Sequence, residues 1–170
     1  MTMDKTLAII REAISIEKYG YDFYYLLRDQ ISDRRGQTVI SYLARLEAEH
    51  VMQLETEYFK QIQSLEEMDE GQAEPLRLMA IEEIFVVEGL PEIYQGSDHV
   101  KALEFAVQVE IKSVDFYTKA MEHSEAPALK DLFRRLADFE REHIAFIEHN
   151  IETLKENKLW SSDMAGELHG

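Results

Sequence analysis

Apolar side chains recur along four stretches of the chain at alternating intervals of three and four residues. This spacing places them on one stripe of an α-helix, as in the helices of a bundle. It predicts helices over about 3–30, after 33 to about 64, over about 98–123 and after 124. The stripe positions, helix by helix, are Leu7, Ile10, Ile14, Glu17, Tyr21 and Tyr24; Ile40, Leu43, Glu47, His50, Leu54 and Tyr58; Leu103, Val107, Glu110, Val114, Tyr117 and Met121; Phe133, Leu136, Glu140, His143, Ile147 and Ile151 or Leu154. The pattern predicts an all-α four-helix bundle.

The connections between the predicted helices differ greatly in length. Asp33 is predicted to cap the second helix and Ser124 the fourth, with Pro127 in the first turn of the fourth. About 34 residues separate the second helix from the third, which is too long for a hairpin loop. We therefore expect two antiparallel hairpins joined by a long crossover that contains a short helix around 76–88.

One domain is predicted at this length, and it is the bundle of residues 1–155. Residues 156–170 have no sustained period and are predicted to form a tail that Trp160 anchors. The first residues are not typical of a signal peptide, because charged residues interrupt a short apolar run. No window contains the roughly 18 uncharged apolar residues of a membrane span. We therefore expect a cytoplasmic protein that does not associate with membranes.

Acidic side chains outnumber basic ones by 34 to 18, which gives a formal charge of −16. Such a surface repels nucleic acids and anionic lipids, because both are polyanions. We expect no nucleic-acid partner. The sequence contains no cysteine, which excludes disulfides, thiolate nucleophiles and cysteine-bound metal centres within these residues.

The sequence repeats itself at an offset of 93 residues, so that 10–62 lie over 103–155. In each half a Glu on the first helix precedes, by thirty residues, the Glu of a Glu-x-x-His motif on the second helix. The matched pairs with metal-binding chemistry are Glu17/Glu110, Glu47/Glu140 and His50/His143. One such motif alone is typical of a surface ion pair, but two at equivalent positions indicate a shared site.

These six side chains interrupt apolar stripes at the same depth of the bundle. Glu17 and Glu47 each lie about 14 residues, or roughly 20 Å, from the turn between them. Burial of a lone carboxylate or imidazole at such a position is unfavourable unless an opposite charge compensates it. Two divalent cations would neutralise four carboxylates, and each cation would gain a nitrogen ligand from one imidazole. The sequence therefore predicts a two-metal site.

Two repeat-matched tyrosines lie two turns beyond the first Glu of each half. Tyr24 and Tyr117 share the stripes of Glu17 and Glu110, so they can hydrogen-bond a ligating carboxylate or serve as a redox-active phenol. Burial as ordinary core tyrosines is the alternative interpretation. The sequence does not separate these roles.

The remaining acidic matches and histidines have no comparable pattern. Asp22 and Asp115 point away from the stripe by about 140°, so we expect solvated charges, with orientation of a ligand histidine as the alternative. We expect the other histidines at the surface; they are His99, His123, His149 and His169.

The chain resembles the ferritin-like di-iron carboxylate superfamily, specifically its rubrerythrin-like branch. The resemblance covers about 4–155 and rests on ISIEKYGYDFYY with RLEAEH, then on QVEIKSVDFYTK with DFEREH. It implies a ferritin-like four-helix bundle that binds two iron ions. The implied roles are terminal or bridging ligation by Glu17 and Glu110, bridging or chelation by Glu47 and Glu140, binding of one iron each by His50 and His143, and support of the ligands by Tyr24 and Tyr117.

Three departures from related proteins bear on the activity. Rubrerythrin carries an additional Glu one turn after the third-helix ligand, where this chain has Ser113. Rubrerythrin also ends in a four-cysteine rubredoxin domain that delivers electrons, whereas this chain has no cysteine. Bacterioferritin binds haem through a Met where this chain has Ala48. A built-in electron relay is therefore excluded within these residues, and an external electron donor is implied.

The resemblance implies a redox enzyme that reduces H₂O₂ or O₂, acting as a peroxidase or as a ferroxidase. Manganese or zinc would accept many of the same ligands. One alternative is iron binding and delivery without significant turnover. Another is a metal-free structural bundle, which would need two of the four carboxylates to be protonated. The family habit and the apolar run over 84–87 make a homodimer the expected assembly.

Overall fold

The structure, a computed structural model, describes residues 3–66 and 99–161 and forms four α-helices over these ranges. They are α1 (Met3–Gln30), α2 (Arg34–Glu66), α3 (His99–His123) and α4 (Pro127–Asn157). No strand occurs in the described ranges. The predicted all-α bundle is confirmed, whereas the short helix predicted around 76–88 lies outside the described residues.

The predicted cap of α2 is confirmed, and the predicted cap of α4 is wrong. Asp33 Oδ1 accepts the backbone N–H groups of Arg35 at 2.8 Å and Gly36 at 3.0 Å. Ser124 instead closes α3, because its Oγ donates to the carbonyl of Ala120 at 2.7 Å. Pro127 is the first residue of α4, and it holds the preceding residue in an extended conformation. The helix therefore begins later than Ser124 could cap it.

Each helix packs mainly against its hairpin partner, α1 against α2 and α3 against α4, and α1 also contacts α3. The buried apolar side chains form two clusters, one towards each end of the bundle. The first cluster includes Phe23, Leu27, Ile40, Leu43, Leu103, Phe146 and Ile147. The second includes Leu7, Ile10, Ile14, Leu54, Leu129, Phe133 and Leu136. A layer of buried polar side chains lies between the two clusters.

The apolar stripes are buried as predicted on α2 and α4, whereas Val114 and Met121 of the α3 stripe are only partly buried and α1 departs from the prediction at one position. Tyr21 is 37 % exposed and stacks on Tyr25 at the surface. Gly20 is buried in its place, where an added Cβ would lie 2.9 Å from Cδ of Glu47. The carboxylate of Glu47 therefore occupies the space that a larger inward side chain on α1 would need.

The end of the chain is held against the bundle through Trp160. Its side chain is only 6 % exposed, and it lies so close to Gly36 that an added Cβ there would meet the indole at 2.5 Å. Ser161 donates its backbone N–H to Asn150 Oδ1 at 3.0 Å. The expected anchoring by Trp160 is confirmed, and residues 162–170 lie outside the described part of the chain.

None of the helices in the described ranges is both long and apolar enough to cross a lipid bilayer.

Candidate metal centre

The polar layer between the two apolar clusters consists of the six predicted ligands. None of them exposes more than 3 % of its surface. The α1 and α3 helices each supply one carboxylate, while α2 and α4 each supply a Glu and a His three residues apart on one helix face. The structure therefore brings all six side chains together, as Glu17, Glu47, His50, Glu110, Glu140 and His143.

The donor atoms form two overlapping groups of four side chains, and a third group consists of His50, Glu140 and His143. In the first, one atom from each of four side chains lies within 4.8 Å of the others, and the members are Glu17, Glu47, His50 and Glu140. In the second, the same limit holds for Glu47, Glu110, Glu140 and His143. Only the two glutamates of the Glu-x-x-His motifs belong to both groups. Their carboxylates therefore lie where they can contact two neighbouring ions.

The imidazoles direct Nδ1 towards the carboxylates. Nδ1 of His50 lies 3.0 Å from Oε2 of Glu17 and 3.3 Å from Oε1 of Glu140. Nδ1 of His143 lies 3.0 Å from Oε2 of Glu140 and 3.4 Å from Oε1 of Glu47. The two rings stack at 5.2 Å between centroids. Each histidine is thus placed to give one nitrogen to one of the two groups.

Two tyrosines hold the remaining carboxylates across the hairpins. The hydroxyl of Tyr24 on α1 donates to Glu110 on α3, and that of Tyr117 on α3 donates to Glu17 on α1. Both tyrosines are fully buried. These contacts fix the orientation of the two carboxylates that belong to a single group, and a redox role for the phenols stays a prediction.

In the metal-free protein, charge and burial set the protonation of the cluster. Burial, followed by the charge of other carboxylates, raises the pKa of Glu47 and of Glu110 well above its ordinary value. Burial alone would lower the pKa of His143, but the charge of Glu140 raises it to about 9. Burial would also lower the pKa of His50, but the charges and hydrogen-bond acceptors of Glu17 and Glu140 together raise it well above its ordinary value.

Glu140 responds in the opposite direction. Burial tends to raise its pKa, but the neighbouring imidazolium groups of His143 and His50 lower it below the ordinary range. Two protonated carboxyls and two ion pairs therefore make an electrically neutral cluster when no metal is bound. This is the arrangement that the metal-free alternative requires.

The hydrogen bonding of the cluster fits metal ligation better. Four buried atoms make no hydrogen bond of acceptable geometry, namely Glu47 Oε1, Glu140 Oε1, Glu140 Oε2 and His143 Nδ1. Buried polar atoms in native proteins are rarely left in this state, so the exceptions need an explanation. All four belong to the second group of donors. Carboxylate oxygens with one imidazole nitrogen per ion suit iron, manganese and zinc.

The other polar residues singled out in the sequence lie outside the centre. Asp22 and Asp115 are exposed, as expected for solvated charges, and Asp115 accepts a hydrogen bond from Lys119. His123 is exposed, as expected for a surface residue. His149 is instead partly buried and hydrogen-bonded to the hydroxyl of Ser161 at 3.0 Å. His99 is also partly buried, with its ring 5.7 Å from Trp160, and His169 lies outside the described residues.

Gly20 lies against the centre, a role that sequence reasoning did not assign, and its counterpart on α3 is Ser113. They are equivalent in the repeat, each is buried, and each lies one turn after the ligand candidate of its helix. Gly20 lies against the carboxylate of Glu47, because a Cβ added at Gly20 would lie 2.9 Å from Cδ of Glu47. The signal in the sequence was the pair of small residues at equivalent positions of otherwise bulky stripes.

Comparison with known proteins supports the resemblance seen in the sequence. A family model described as Rubrerythrin matches residues 101–165, which contain Glu110, Glu140 and His143. A hypothetical protein from Pyrococcus furiosus is similar in structure, with a TM-score of 0.67, 20 % identity and 94 % of each chain covered. At that identity the structural likeness shows the fold alone. No curated protein matches the sequence.

Proposed function

We propose that this chain, which carries a ferritin-like domain of the rubrerythrin type, is a di-iron oxidoreductase that reduces H₂O₂ or O₂. The observation that carries the proposal is the pair of buried donor groups that share Glu47 and Glu140. A single metal site would not need two groups with common bridging members. Iron is the metal typical of this kind of domain, and manganese or zinc would fit the same donors.

The six ligand candidates divide into matched roles. Glu17 and His50 would hold one ion, and Glu110 and His143 the other, while the two shared carboxylates would contact both. Four carboxylates and two divalent ions balance in charge, which removes the penalty of burying unpaired carboxylates. An oxygen-rich ligand set also favours the more highly charged, oxidised state of the metal.

Two iron ions would supply one electron each, which is the number needed to reduce H₂O₂ to two water molecules with two protons. The chain's own residues prepare the site for this exchange. Tyr24 and Tyr117 hold Glu110 and Glu17 in place through their hydroxyl groups. The apolar clusters above and below exclude bulk water from the polar layer. A fixed ligand shell that apolar clusters shield at both ends limits side reactions of reduced oxygen species.

The electrons for repeated turnover would come from an external donor, because the 170 residues contain no cysteine for a rubredoxin-type relay. The proposal includes peroxide reduction with such a donor and ferroxidase action as its two forms, each in a homodimer. The two activities differ in what is consumed. A peroxidase consumes H₂O₂ continuously when a reductant is supplied, whereas a ferroxidase consumes Fe²⁺ and leaves ferric product.

The test measures the metal content of the purified protein and then its rate of turnover. Purified protein is stripped with a chelator, loaded anaerobically with Fe²⁺, assayed for bound iron, and then mixed with H₂O₂ and a small-molecule reductant. We expect about two irons per chain and sustained peroxide consumption. Glu47→Ala and His143→Ala should abolish that consumption, whereas His123→Ala, which removes an exposed histidine, should not.

Two outcomes would contradict the proposal. A folded His143→Ala variant with an unchanged rate would remove the assigned centre from the reaction. Wild-type protein that retains iron but performs no more than one turnover would instead indicate iron binding and delivery.

A further inference from the structure

The imidazole of His50 on α2 stacks on two rings of α4. The ring of Phe139 lies 5.3 Å away between centroids, with an angle of 21° between the planes. The ring of His143 lies 5.2 Å away at 14°. Nearly parallel rings at such separations attract each other. The two α4 rings together therefore hold the plane of the His50 imidazole.

The internal repeat is broken at the position of Phe139. His143 is equivalent to His50, but the residue that corresponds to Phe139 at the offset of 93 is Leu46. Leu46 lines the same small pocket as both imidazoles. A leucine fills space, but it has no planar face on which an imidazole can stack. His143 therefore lacks the counterpart of the Phe139 ring that His50 has.

The hydrogen bonding of the two imidazoles differs in the same sense. Nδ1 of His50 donates to Oε2 of Glu17 at 3.0 Å. Nδ1 of His143 lies equally close to Oε2 of Glu140, yet it makes no hydrogen bond of acceptable geometry. A hydrogen bond and a metal ion both meet an imidazole nitrogen in the plane of the ring. The His50 ring is thus already aimed at its carboxylate, whereas the His143 ring is not.

The carboxylates do not account for this difference. The hydroxyl of Tyr117 donates to Glu17, and that of Tyr24 donates to Glu110 in the same way. The carboxylate that belongs to a single donor group is therefore held equally in both groups. The difference between the two groups lies in their imidazoles, and Phe139 contacts one imidazole of the two by stacking.

We call the metal position of Glu17 and His50 the first position, and that of Glu110 and His143 the second position. We propose that Phe139 is a positioning residue that makes the two positions inequivalent, so that the first position fills before the second. This inference rests on the proposed function, because it concerns the same two-metal centre. Phe139 supplies no ligand atom and acts only through the orientation of His50.

The expected size of the effect follows from preorganisation. A site whose ligands already have their binding orientation is filled more readily, because fewer side chains lose freedom when the ion binds. Loss of the Phe139 ring should weaken binding of the first ion by about two- to tenfold, which is the contribution of a typical aromatic pair. It should also let the first ion divide between the two positions.

The experiment titrates full-length, chelator-stripped protein with Co²⁺. Proton NMR follows the imidazole signals that the paramagnetic ion shifts, and calorimetry gives the dissociation constant of the first ion. His143→Gln assigns the signals, because the cluster then retains only the imidazole of His50. Two ions repel each other, so a second ion binds more weakly whatever the role of Phe139. The order in which the two histidines are occupied is therefore the primary measurement.

The test variant is Phe139→Leu, which introduces the residue type of the equivalent Leu46. Phe139→Tyr keeps an aromatic ring and should restore the wild-type order of filling. The matched control is Phe105→Leu, because Phe105 is also partly buried but packs on Phe23 in the first apolar cluster. A general loss of packing would affect both leucine variants alike.

Shifted signals of His50 alone at one equivalent of Co²⁺ in wild type, and of both histidines in Phe139→Leu, support the inference. Wild-type protein that shows both histidines at once, or His143 first, overturns it without any substitution and leaves the metal centre intact. Wild-type order in Phe139→Leu, altered order in Phe105→Leu, or no restoration by Phe139→Tyr overturns the role of Phe139. Wild-type protein that takes up no Co²⁺ overturns the proposed function itself.

Discussion

The metal-free protein should lose stability as the pH is raised from 6.5 to above 9. The pKa of the His143 imidazole in the folded chain is about 9, against an ordinary value of 6.5. The folded state therefore binds a proton that the unfolded state has released between these two values. The stabilisation is complete below pH 6.5 and is lost as the pH rises through about 9.

The magnitude follows from the same two values. At about 1.36 kcal/mol for each pH unit of difference, the His143 proton contributes about 3 kcal/mol to the free energy of unfolding. The raised pKa values of His50, Glu47 and Glu110 act in the same direction. Glu140 acts oppositely, because its lowered pKa gives stability above pH 4.5 that is lost on acidification. The net loss towards high pH should therefore be on the order of 3 kcal/mol.

Urea unfolding of chelator-treated protein measures this loss. Circular dichroism follows the unfolding at pH 6 and at pH 9.5, and we expect a lower urea midpoint at pH 9.5 than at pH 6. His143→Gln should flatten the dependence, although it lowers stability overall by leaving Glu140 with one cationic partner fewer. His123→Gln is the control, because that histidine is exposed and lies outside the cluster. Equal midpoints at the two pH values in the wild-type protein would refute the assigned protonation.

Two further predictions concern side chains around the ligands. Gly20→Ala places a Cβ 2.9 Å from Cδ of Glu47, so we expect a loss of about 1–3 kcal/mol in unfolding free energy and weaker Co²⁺ binding by titration. Ser113→Ala, at the equivalent position of α3, is the control. Equal effects in the two variants would contradict the steric argument. Tyr24→Phe and Tyr117→Phe each remove the hydrogen-bond donor to a buried carboxylate. Each should lower the unfolding free energy of the metal-free protein by about 1–3 kcal/mol, measured by urea unfolding. An unchanged unfolding free energy in either variant would show that its hydrogen bond contributes nothing.

The four helices and the six ligand candidates were predictable because both depend on regular spacing. A period of three and four positions defines a helix face without knowledge of its neighbours. The gap-free offset of 93 residues places Glu110, Glu140 and His143 as soon as Glu17 and the first Glu-x-x-His are recognised. Binding of metal by these residues stays a prediction, although the structure gathers all six in one buried layer.

The wrong predictions concern the exposure of Tyr21 and the cap of α4, and both depend on contacts with neighbouring residues. Tyr21 fits the α1 stripe by spacing, but α1 packs with Gly20 against the carboxylate of Glu47 and leaves Tyr21 partly exposed. Ser124 is a good capping residue by type, yet Pro127 delays the start of α4 and the hydroxyl bonds back to α3. Both depend on contacts between elements, which a helical period does not contain.

The placement of Glu49 and Glu142 shows the same limit from the opposite direction. Their match across the repeat is visible in the sequence, where they read as ordinary solvated glutamates. Only the fold shows that α2 and α4 face each other across a pocket and that both residues line it. A repeat therefore identifies which residues form pairs, and the packing of the hairpins determines where each pair lies.

The six buried groups can be neutralised in two ways, and the difference decides between a metal centre and a structural polar network. Without metal, protons on Glu47 and Glu110 and on both imidazoles balance the charge. With two divalent ions bound, those protons would leave, and the four carboxylates would balance the charge of the two ions. A purely structural network would be better served by apolar side chains of similar volume, because desolvation of buried ion pairs commonly offsets their attraction. Four atoms of Glu47, Glu140 and His143 make no hydrogen bond in the metal-free arrangement, and two metal ions bound between these side chains would give those atoms partners.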